Sequence, residues 1–270
     1  MKSRCLVTIA DHRTQAMAIL MFKSLKKSRG LIGQEIPYDL FLLTAKGFEL
    51  SEDLLQLCYD LNIQVVSFEF MLNCEDPYYI KFLLLEFLQK FYYETMLYLD
   101  PDHIFFKVIP VLEPISNCIL MSSESTLFIA NEYIKEIANQ DSFINFNSSF
   151  IYASHTTWLN ATKNWKDFYK RLGGHICNRY REEIAFSLSA MSRYACIIQV
   201  SRKLQANFKE FEKDCCVFHY GGESFAAKSI KELLHLKGIY LEKALFEKKR
   251  ASNDEKERWL LTEISRILKV

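Results

Sequence analysis

Short apolar runs alternate with segments of helical spacing over the first part of the chain. Residues 6–10 form an apolar run rich in β-branched residues, and residues 15–27 repeat their apolar positions with the spacing of a helix. Further strands are predicted at 38–44 and 64–68, with a helix at 51–61 between them. This alternation predicts an α/β fold with a mostly parallel central sheet and helices on both faces.

The pattern continues with a long helix predicted at 77–93 and a strand at 96–99 that ends at two acidic residues. Ligands bind outside the carboxyl ends of strands in open α/β sheets, so chemistry is expected there. Later strands are predicted at 118–122, 146–153, 195–200 and 215–219, and later helices at 130–139, 158–171 and 179–192.

The pattern becomes helical and heavily charged from Ser229 onward. It therefore predicts a main domain over 1–228 and a C-terminal extension of charged, amphipathic helices over 229–270. Basic residues such as Lys243 and Lys249 could lie on the inner face of an anionic membrane and bring the protein to a lipid-linked acceptor. Acidic neighbours such as Glu242 reduce the positive charge of that face. This favours a helix pair that packs on the domain and exposes its charged side to water.

Composition describes a globular chain with no general attraction to polyanions. Half of the residues (50%) are hydrophobic and the formal net charge is +1, so nucleic acid is not expected as a partner. The eight cysteines form no CxxC pair, which favours free thiols in a reducing compartment. Asp11 interrupts the first apolar run, which is too short for a signal peptide. We therefore expect a soluble, cytoplasmic protein; a secreted effector is the other possibility left open.

The strand at 96–99 ends at Asp100, Pro101 and Asp102. Proline ends a strand and restricts the turn, and two carboxylates two residues apart can converge on one hard cation. The bare triplet is weak evidence because acids are common in loops. Its position after an apolar strand strengthens it.

His219 ends the apolar run 216–218 and precedes Gly221 and Gly222. A neutral imidazole is a good Mn²⁺ ligand, and glycine lets the backbone approach a ligand closely. Alone, this pattern favours an ordinary histidine at a strand end beside a Gly-Gly turn.

Five short motifs follow one another between residue 6 and about residue 225. Their order and spacing resemble the family-eight glycosyltransferases, which include glycogenin and bacterial lipopolysaccharide galactosyl- and glucosyltransferases. The motifs are residues 6–11, Tyr79-Ile80-Lys81-Phe82, Leu97 to Asp102, Phe146-Asn147-Ser148-Ser149-Phe150 and His219-Tyr220-Gly221-Gly222.

The resemblance implies a GT-A fold and transfer of a hexose from a UDP-sugar, with retention, to a hydroxyl of a glycan, lipid-linked or protein acceptor. It implies Asp100, Asp102 and His219 as ligands of Mn²⁺ or Mg²⁺. The residues implied to contact the donor nucleotide or its diphosphate are Thr8, Ile9, Asp11, Lys81, Gly222 and Lys228. Lys81 replaces the family's usual arginine, and that replacement keeps the charge but not the bidentate geometry.

The resemblance also implies three residues at the reacting carbon. Asn147 would contact the donor sugar, and Glu182 and Glu183 fall where the family commonly has Asp-Gln. Glu183 would either stabilise an oxocarbenium-like carbon or act as nucleophile. Acids early in a helix are also ordinary dipole-complementing residues.

The chain departs from the family pattern at several positions. Ser149 stands where the family has glycine, and Arg13-Thr14 stand in place of Asn-Tyr. The Lys-Pro-Trp expected after His219 is missing, so that phosphate contact is either lost or supplied by Lys228. A non-catalytic relative and a nucleotidyltransferase of similar fold are the alternatives, although residues 10–16 lack the glycines that nucleotidyltransferases usually carry.

Overall fold

The computed structural model describes residues 3–32, 35–69, 77–122, 125–130, 132–139, 141–173, 176, 178–221, 232–233, 238–252 and 254–268. The strands are β1 (Arg4–Ile9), β2 (Asp39–Ala45), β3 (Ile63–Phe68), β4 (Thr95–Leu99), β5 (His103–Phe105), β6 (Cys118–Met121), β7 (Ser125–Ile129), β8 (Ser142–Phe146), β9 (Phe150–Ser154), β10 (Cys196–Gln199), β11 (Gln205–Asn207) and β12 (Val217–His219). The α-helices are α1 (Gln15–Ile32), α2 (Glu52–Leu61), α3 (Leu83–Lys90), α4 (Glu132–Ala138), α5 (His155–Thr162), α6 (Trp165–Leu172), α7 (Asn178–Ser192), α8 (Gly238–Ala251) and α9 (Glu255–Leu268), and a 3₁₀ helix spans Pro77–Phe82.

The central sheet has the strand order β10-β6-β9-β4-β1-β2-β3. Strands β1 to β4 pair in parallel, as do β6 and β10. Strand β9 is antiparallel to both of its neighbours, β4 and β6. Within the described strands, the mostly parallel sheet predicted from the pattern is therefore confirmed.

Both faces of this sheet are covered by helices. Along β4, Leu97 and Leu99 pack in one apolar cluster with residues of α1 and α2. Met96 and Tyr98 pack in another cluster, with residues of α3, α5, α6 and α7. Burial on both faces explains why the central strands read as continuous apolar runs, as parallel strands between two helical layers do.

A smaller sheet of order β11-β12-β5 lies beside the main one. It forms a third apolar cluster with α1 and α9, in which Leu20, Phe218, Leu260 and Ile264 are all buried. The apolar face of α9 therefore packs on the protein itself, as favoured for the C-terminal segment, and is not available to a membrane. The predicted domain boundary at 228/229 lies outside the described residues. None of the helices described here has the length and apolarity needed to span a membrane.

The strand order reverses between β1 and β4. From β1 the chain proceeds to β2 and β3 on one side, and then returns to place β4 on the other side of β1. Such a switch point opens a crevice at the carboxyl ends of the two strands, and ligands of open α/β sheets bind there. The 100–102 turn follows β4 directly, so the fold puts its carboxylates at this crevice.

Candidate functional site

The 100–102 turn is anchored to the start of β9. The backbone N–H of Asp100 donates to the carbonyl of Ser149 at 2.8 Å. The carboxylate of Asp100 accepts from the Lys81 ammonium at 3.0 Å and from the phenol of Tyr98. Its side chain is 20% exposed, so it remains in contact with solvent.

Lys81 is buried at the centre of a network of polar side chains. Its Nζ lies 3.0 Å from Asp100 Oδ2, 2.8 Å from Ser148 Oγ and 3.1 Å from Glu182 Oε2. Burial alone would lower the pKa of Lys81, but the carboxylates of Asp100 and Glu182 raise it well above its usual value. An ammonium has three N–H groups, and here all three are directed at protein acceptors. In this arrangement, therefore, Lys81 has no N–H group left to donate to a donor diphosphate, the contact expected of it.

Asp102 is paired with His219 across the end of the small sheet. Its Oδ2 lies 3.3 Å from His219 Nε2. Burial alone would raise the pKa of Asp102, but the adjacent His219 lowers it to about 2. The other carboxylate oxygen, Oδ1, is buried and has no hydrogen-bond partner among the described residues.

The donor set suits a divalent cation only in part. A carboxylate and an imidazole are ligands that Mn²⁺ accepts, and the unpartnered Oδ1 of Asp102 is a free acceptor beside them. Asp100 presents carboxylate oxygens at the same turn, but they contact Lys81 and Tyr98. Within the described ranges, no three His, Cys, Asp or Glu side chains are grouped so that they could hold a metal ion. Asp102 and His219 are thus two suitable ligands, whereas the carboxylate of Asp100 is held by Lys81 and Tyr98.

His103 is a residue of this site that the motifs did not indicate. It is fully buried at the start of β5, pairs in register with His219 and stacks on its ring, with centroids 4.9 Å apart. Burial lowers the pKa of His103 to about 3, so the ring is neutral. The only sequence signal was its position next to Asp102.

The turn between β8 and β9 carries the residues expected at the donor sugar. Asn147 Oδ1 accepts from the backbone of Ser149 at 2.8 Å, which closes the turn, and its amide donates to Glu183 at 2.9 Å. Glu183 is partly exposed and also lies 3.5 Å from the amide of Asn145. The structure therefore brings Asn147 and Glu183 into contact, and their role at a donor sugar stays a prediction.

Glu182 has a different environment from its neighbour. It is fully buried and accepts from Ser148 at 2.8 Å, and burial raises its pKa against the opposing charge of Lys81. A carboxylate enclosed in this way does not reach a substrate in the structure as it stands. Glu182 instead fixes Lys81, which corrects the expectation that both acids face the reacting carbon.

A cavity of about 210 Å³ opens at the switch point between β1 and β4. Its wall combines apolar and aromatic side chains with both acids of the turn and two cationic side chains. The residues that line it are Ile9, Arg13, Thr14, Met17, Tyr78, Ile80, Lys81, Tyr98, Asp100, Pro101 and Asp102. Such a mixed pocket beside convergent polar groups is the kind of site in which small ligands bind.

Two of the residues expected to line a nucleotide pocket have structural partners instead. Thr8 is fully buried and its hydroxyl donates to the carbonyl of Leu99 at 2.8 Å, so it links β1 to β4. Asp11 accepts from Arg13 Nε at 2.8 Å and from Thr14 Oγ1 at 3.0 Å, and these bonds organise the loop before α1. Ile9 does line the cavity. Gly222 and Lys228 lie outside the described residues.

Comparison with protein-family models gives no match for the chain. A search among curated proteins also gives no match. Solved structures do match. The galactosyltransferase LgtC, in complex with donor and acceptor sugar analogues, aligns with a TM-score of 0.56 and 14% identity over 94% of this chain and 99% of its own.

Two larger glycosyltransferases are also similar. GlyE of Streptococcus pneumoniae TIGR4 aligns with a TM-score of 0.55 and 12% identity over 82% of this chain and 55% of its own. The bifunctional WbbM aligns with a TM-score of 0.53 and 11% identity over 97% of this chain and 51% of its own. At these identities the likeness establishes architecture, and the chain has the GT-A fold of these glycosyltransferases.

Proposed function

We propose that the chain is a metal-dependent glycosyltransferase that moves a hexose from a UDP-sugar to an acceptor hydroxyl with retention of configuration. The observation that carries the proposal is the pairing of Asp102 with His219 at the carboxyl end of β4, where Asp100 and Asp102 both line the switch-point cavity. LgtC, which shares the fold, is a galactosyltransferase crystallised with donor and acceptor sugar analogues, and this supports a similar pair of substrates here.

Asp102 and His219, joined by Asp100, are the residues that would hold the divalent cation. Mn²⁺ or Mg²⁺ bound there would supply Lewis-acid neutralisation of the charge that develops on the departing diphosphate. The chain's own residues prepare the rest of the site. Lys81 keeps one positive charge beside two carboxylates, and its bond to Asp100 holds that side chain at the cavity wall until the nucleotide enters.

Glu183 is the acid placed to act on the sugar. Asn147 and Asn145 hold its carboxylate by side-chain amides at 2.9 and 3.5 Å, while the side chain remains partly exposed. A carboxylate held in this way can stabilise positive charge on the anomeric carbon or attack it directly, and both routes are compatible with retention. Asn147 then orients the acid and contacts the donor sugar.

A panel of UDP-hexoses tests the proposal without knowledge of the acceptor. We expect slow, Mn²⁺-stimulated release of UDP from one member of the panel, and EDTA should abolish it. Asp102→Asn should reduce the rate at least 100-fold, on the order of the loss seen when a key charge-stabilising group is removed. Asp53→Asn, an exposed change in the first turn of α2, is the matched control and should leave the rate unchanged.

Two results would count against this function. UDP release that continues at the same rate in EDTA would remove the metal from the proposal. UDP binding without turnover of any sugar, alone or with a glycan acceptor panel, would identify a non-catalytic binding module. The pairing of Asp100 with Lys81 is the feature of the structure that favours this second reading.

A further inference from the structure

A chain of buried hydrogen bonds connects the 100–102 turn with the 147–149 turn. His103 Nδ1 lies 2.8 Å from the carbonyl oxygen of Asp100, and His103 Nε2 lies 2.9 Å from the side-chain nitrogen of Gln205. The same nitrogen of Gln205 lies 3.3 Å from Ser149 Oγ. Both His103 and Gln205 are fully buried. The two turns that carry the proposed site are therefore joined through a histidine and a glutamine that touch neither the cavity nor solvent.

The partners determine the hydrogen positions. A carbonyl oxygen can only accept, so the hydrogen of a neutral His103 must be on Nδ1. Nε2 is then an acceptor, and the amide of Gln205 must donate to it. The second hydrogen of the amide donates to Ser149 Oγ, 3.3 Å from the nitrogen. Each member of the chain thus fixes the role of the next, as in a fully satisfied buried polar network.

We propose that His103 and Gln205 are positioning residues that hold the 100–102 turn and the His219 ring in place for the cation and the donor diphosphate. The inference rests on the function proposed above. His103 holds the carbonyl of Asp100 while the N–H of that residue is bonded to Ser149, so the turn is held on both sides. The stacked ring of His103 also defines the plane of the His219 imidazole.

If His103 and Gln205 only filled space in the core, apolar side chains would do so more simply. Two polar side chains are buried here beside the candidate ligands, and hydrogen bonds link them to each other and to the turns that carry Asp100 and Asn147. Groups that orient metal ligands in this way affect metal affinity and activity without contacting the metal. The sequence departure at Ser149 supplies the hydroxyl that receives the Gln205 amide.

The hydrogen positions can be observed directly by NMR of protein labelled with ¹⁵N-histidine. One of the six histidines should show the neutral form with its hydrogen on Nδ1, and its signals should disappear in His103→Asn. A His103 ring that carries its hydrogen on Nε2 would overturn the inference, because that form cannot donate to Asp100. This readout requires no substrate and no enzymatic activity.

The second measurement is Mn²⁺ affinity in the presence of UDP, followed by the EPR signal of the free ion. Gln205→Met and His103→Leu should each weaken Mn²⁺ binding about 10-fold to 100-fold. His103→Asn keeps an N–H at the position of Nδ1 and should bind Mn²⁺ more tightly than His103→Leu. The matched control is Thr162→Val, which loses a buried hydrogen bond to Trp158 outside the network and should leave the affinity unchanged.

Unchanged affinity in Gln205→Met, or equal loss in His103→Asn and His103→Leu, would overturn the positioning role. Far-UV circular dichroism establishes that each variant is folded; if Gln205→Met does not fold, the two His103 variants decide. A wild-type protein that binds no Mn²⁺ would also overturn the inference. Failure to transfer sugar while Mn²⁺ and UDP still bind would count against the proposed function alone.

Discussion

Lys81 is a single buried residue that sets both the charge balance of the site and the position of the Asp100 carboxylate. Its ammonium contacts Asp100, Ser148 and Glu182, so one positive charge serves two carboxylates. Removing one partner from a buried ionic group is costly because the remaining charges stay out of water without compensation. The network therefore stabilises the fold and also keeps Asp100 at the cavity wall.

Lys81→Met should lower the free energy of unfolding by about 3–5 kcal/mol, the usual cost of breaking a buried charge pair. Urea denaturation measures this loss. The double variant Lys81→Met with Glu182→Gln should recover part of it, because the fully buried carboxylate is then neutral. A Lys81→Met protein as stable as the wild type would show that the network is not a buried ionic group in solution.

The environment of Asp11 predicts how the stability of the fold depends on pH. Burial favours its neutral form, but the hydrogen bonds and charge of Arg13 hold the pKa of Asp11 below its ordinary value. A carboxylate whose folded pKa is depressed stabilises the fold fully above its unfolded pKa of about 3.9. That stabilisation is lost as pH falls through the folded value.

Asp11→Asn should therefore destabilise the protein at pH 7 by about 1.5–3 kcal/mol, the range for hydrogen bonds to a charged group. The difference from wild type should shrink as the pH falls below about 4. Urea unfolding at a series of pH values measures it. A difference that stays constant or grows on acidification would contradict the assignment.

At the scale of elements, the apolar pattern predicted the central strands because burial on both faces makes them continuous apolar runs. Three predicted elements are divided in the structure. The helix predicted at 77–93 begins as a 3₁₀ helix over Pro77–Phe82 and is α-helical only over Leu83–Lys90. The strand predicted at 146–153 is two strands, since the side chain of Asn147 accepts from Ser149 and closes a turn between β8 and β9. The helix predicted at 158–171 is interrupted at residues 163–164, between α5 and α6.

The short strands of the small sheet were harder to predict. β5 and β11 have three residues each and β12 was predicted at 215–219, although it spans Val217–His219. A strand of three residues is too short to show a period, and it exists only because a partner is present. For this reason His103 and Gln205, which these strands bring together, could not be recognised from spacing alone.

The packing of helix α9 on the folded core can be tested by comparing a buried with an exposed side chain of the two C-terminal helices. Ile264 is fully buried in the cluster shared with α1 and the small sheet, whereas Phe246 on α8 is 67% exposed. Ile264→Ala should cost about 2–5 kcal/mol of unfolding free energy, and Phe246→Ala should change it by less than about 0.5 kcal/mol. Thermal and urea unfolding of the two variants compare them. Equal effects would mean that α9 is not part of the folded core.

At the scale of the whole molecule, the candidate site is assembled by the strand order. The reversal between β1 and β4 opens the cavity. The carbonyl of Ser149, just before β9, anchors the 100–102 turn, and β12 brings His219 to Asp102. Motifs along the sequence indicated most of the residues that meet there. Their pairing was not predictable, because it depends on which buried charges must be compensated, as with Lys81 and Asp100.

In the proposed site, Asp100, Asp102 and His219 share one cation with a donor diphosphate. A crystal of the protein soaked with Mn²⁺ and UDP, measured at the manganese absorption edge, tests it most directly. We expect an anomalous peak in contact with Asp102 and His219, with the diphosphate on the ion and Asp100 turned from Lys81 towards it. A nucleotide bound with no anomalous peak at these residues, or a peak elsewhere in the molecule, would contradict it.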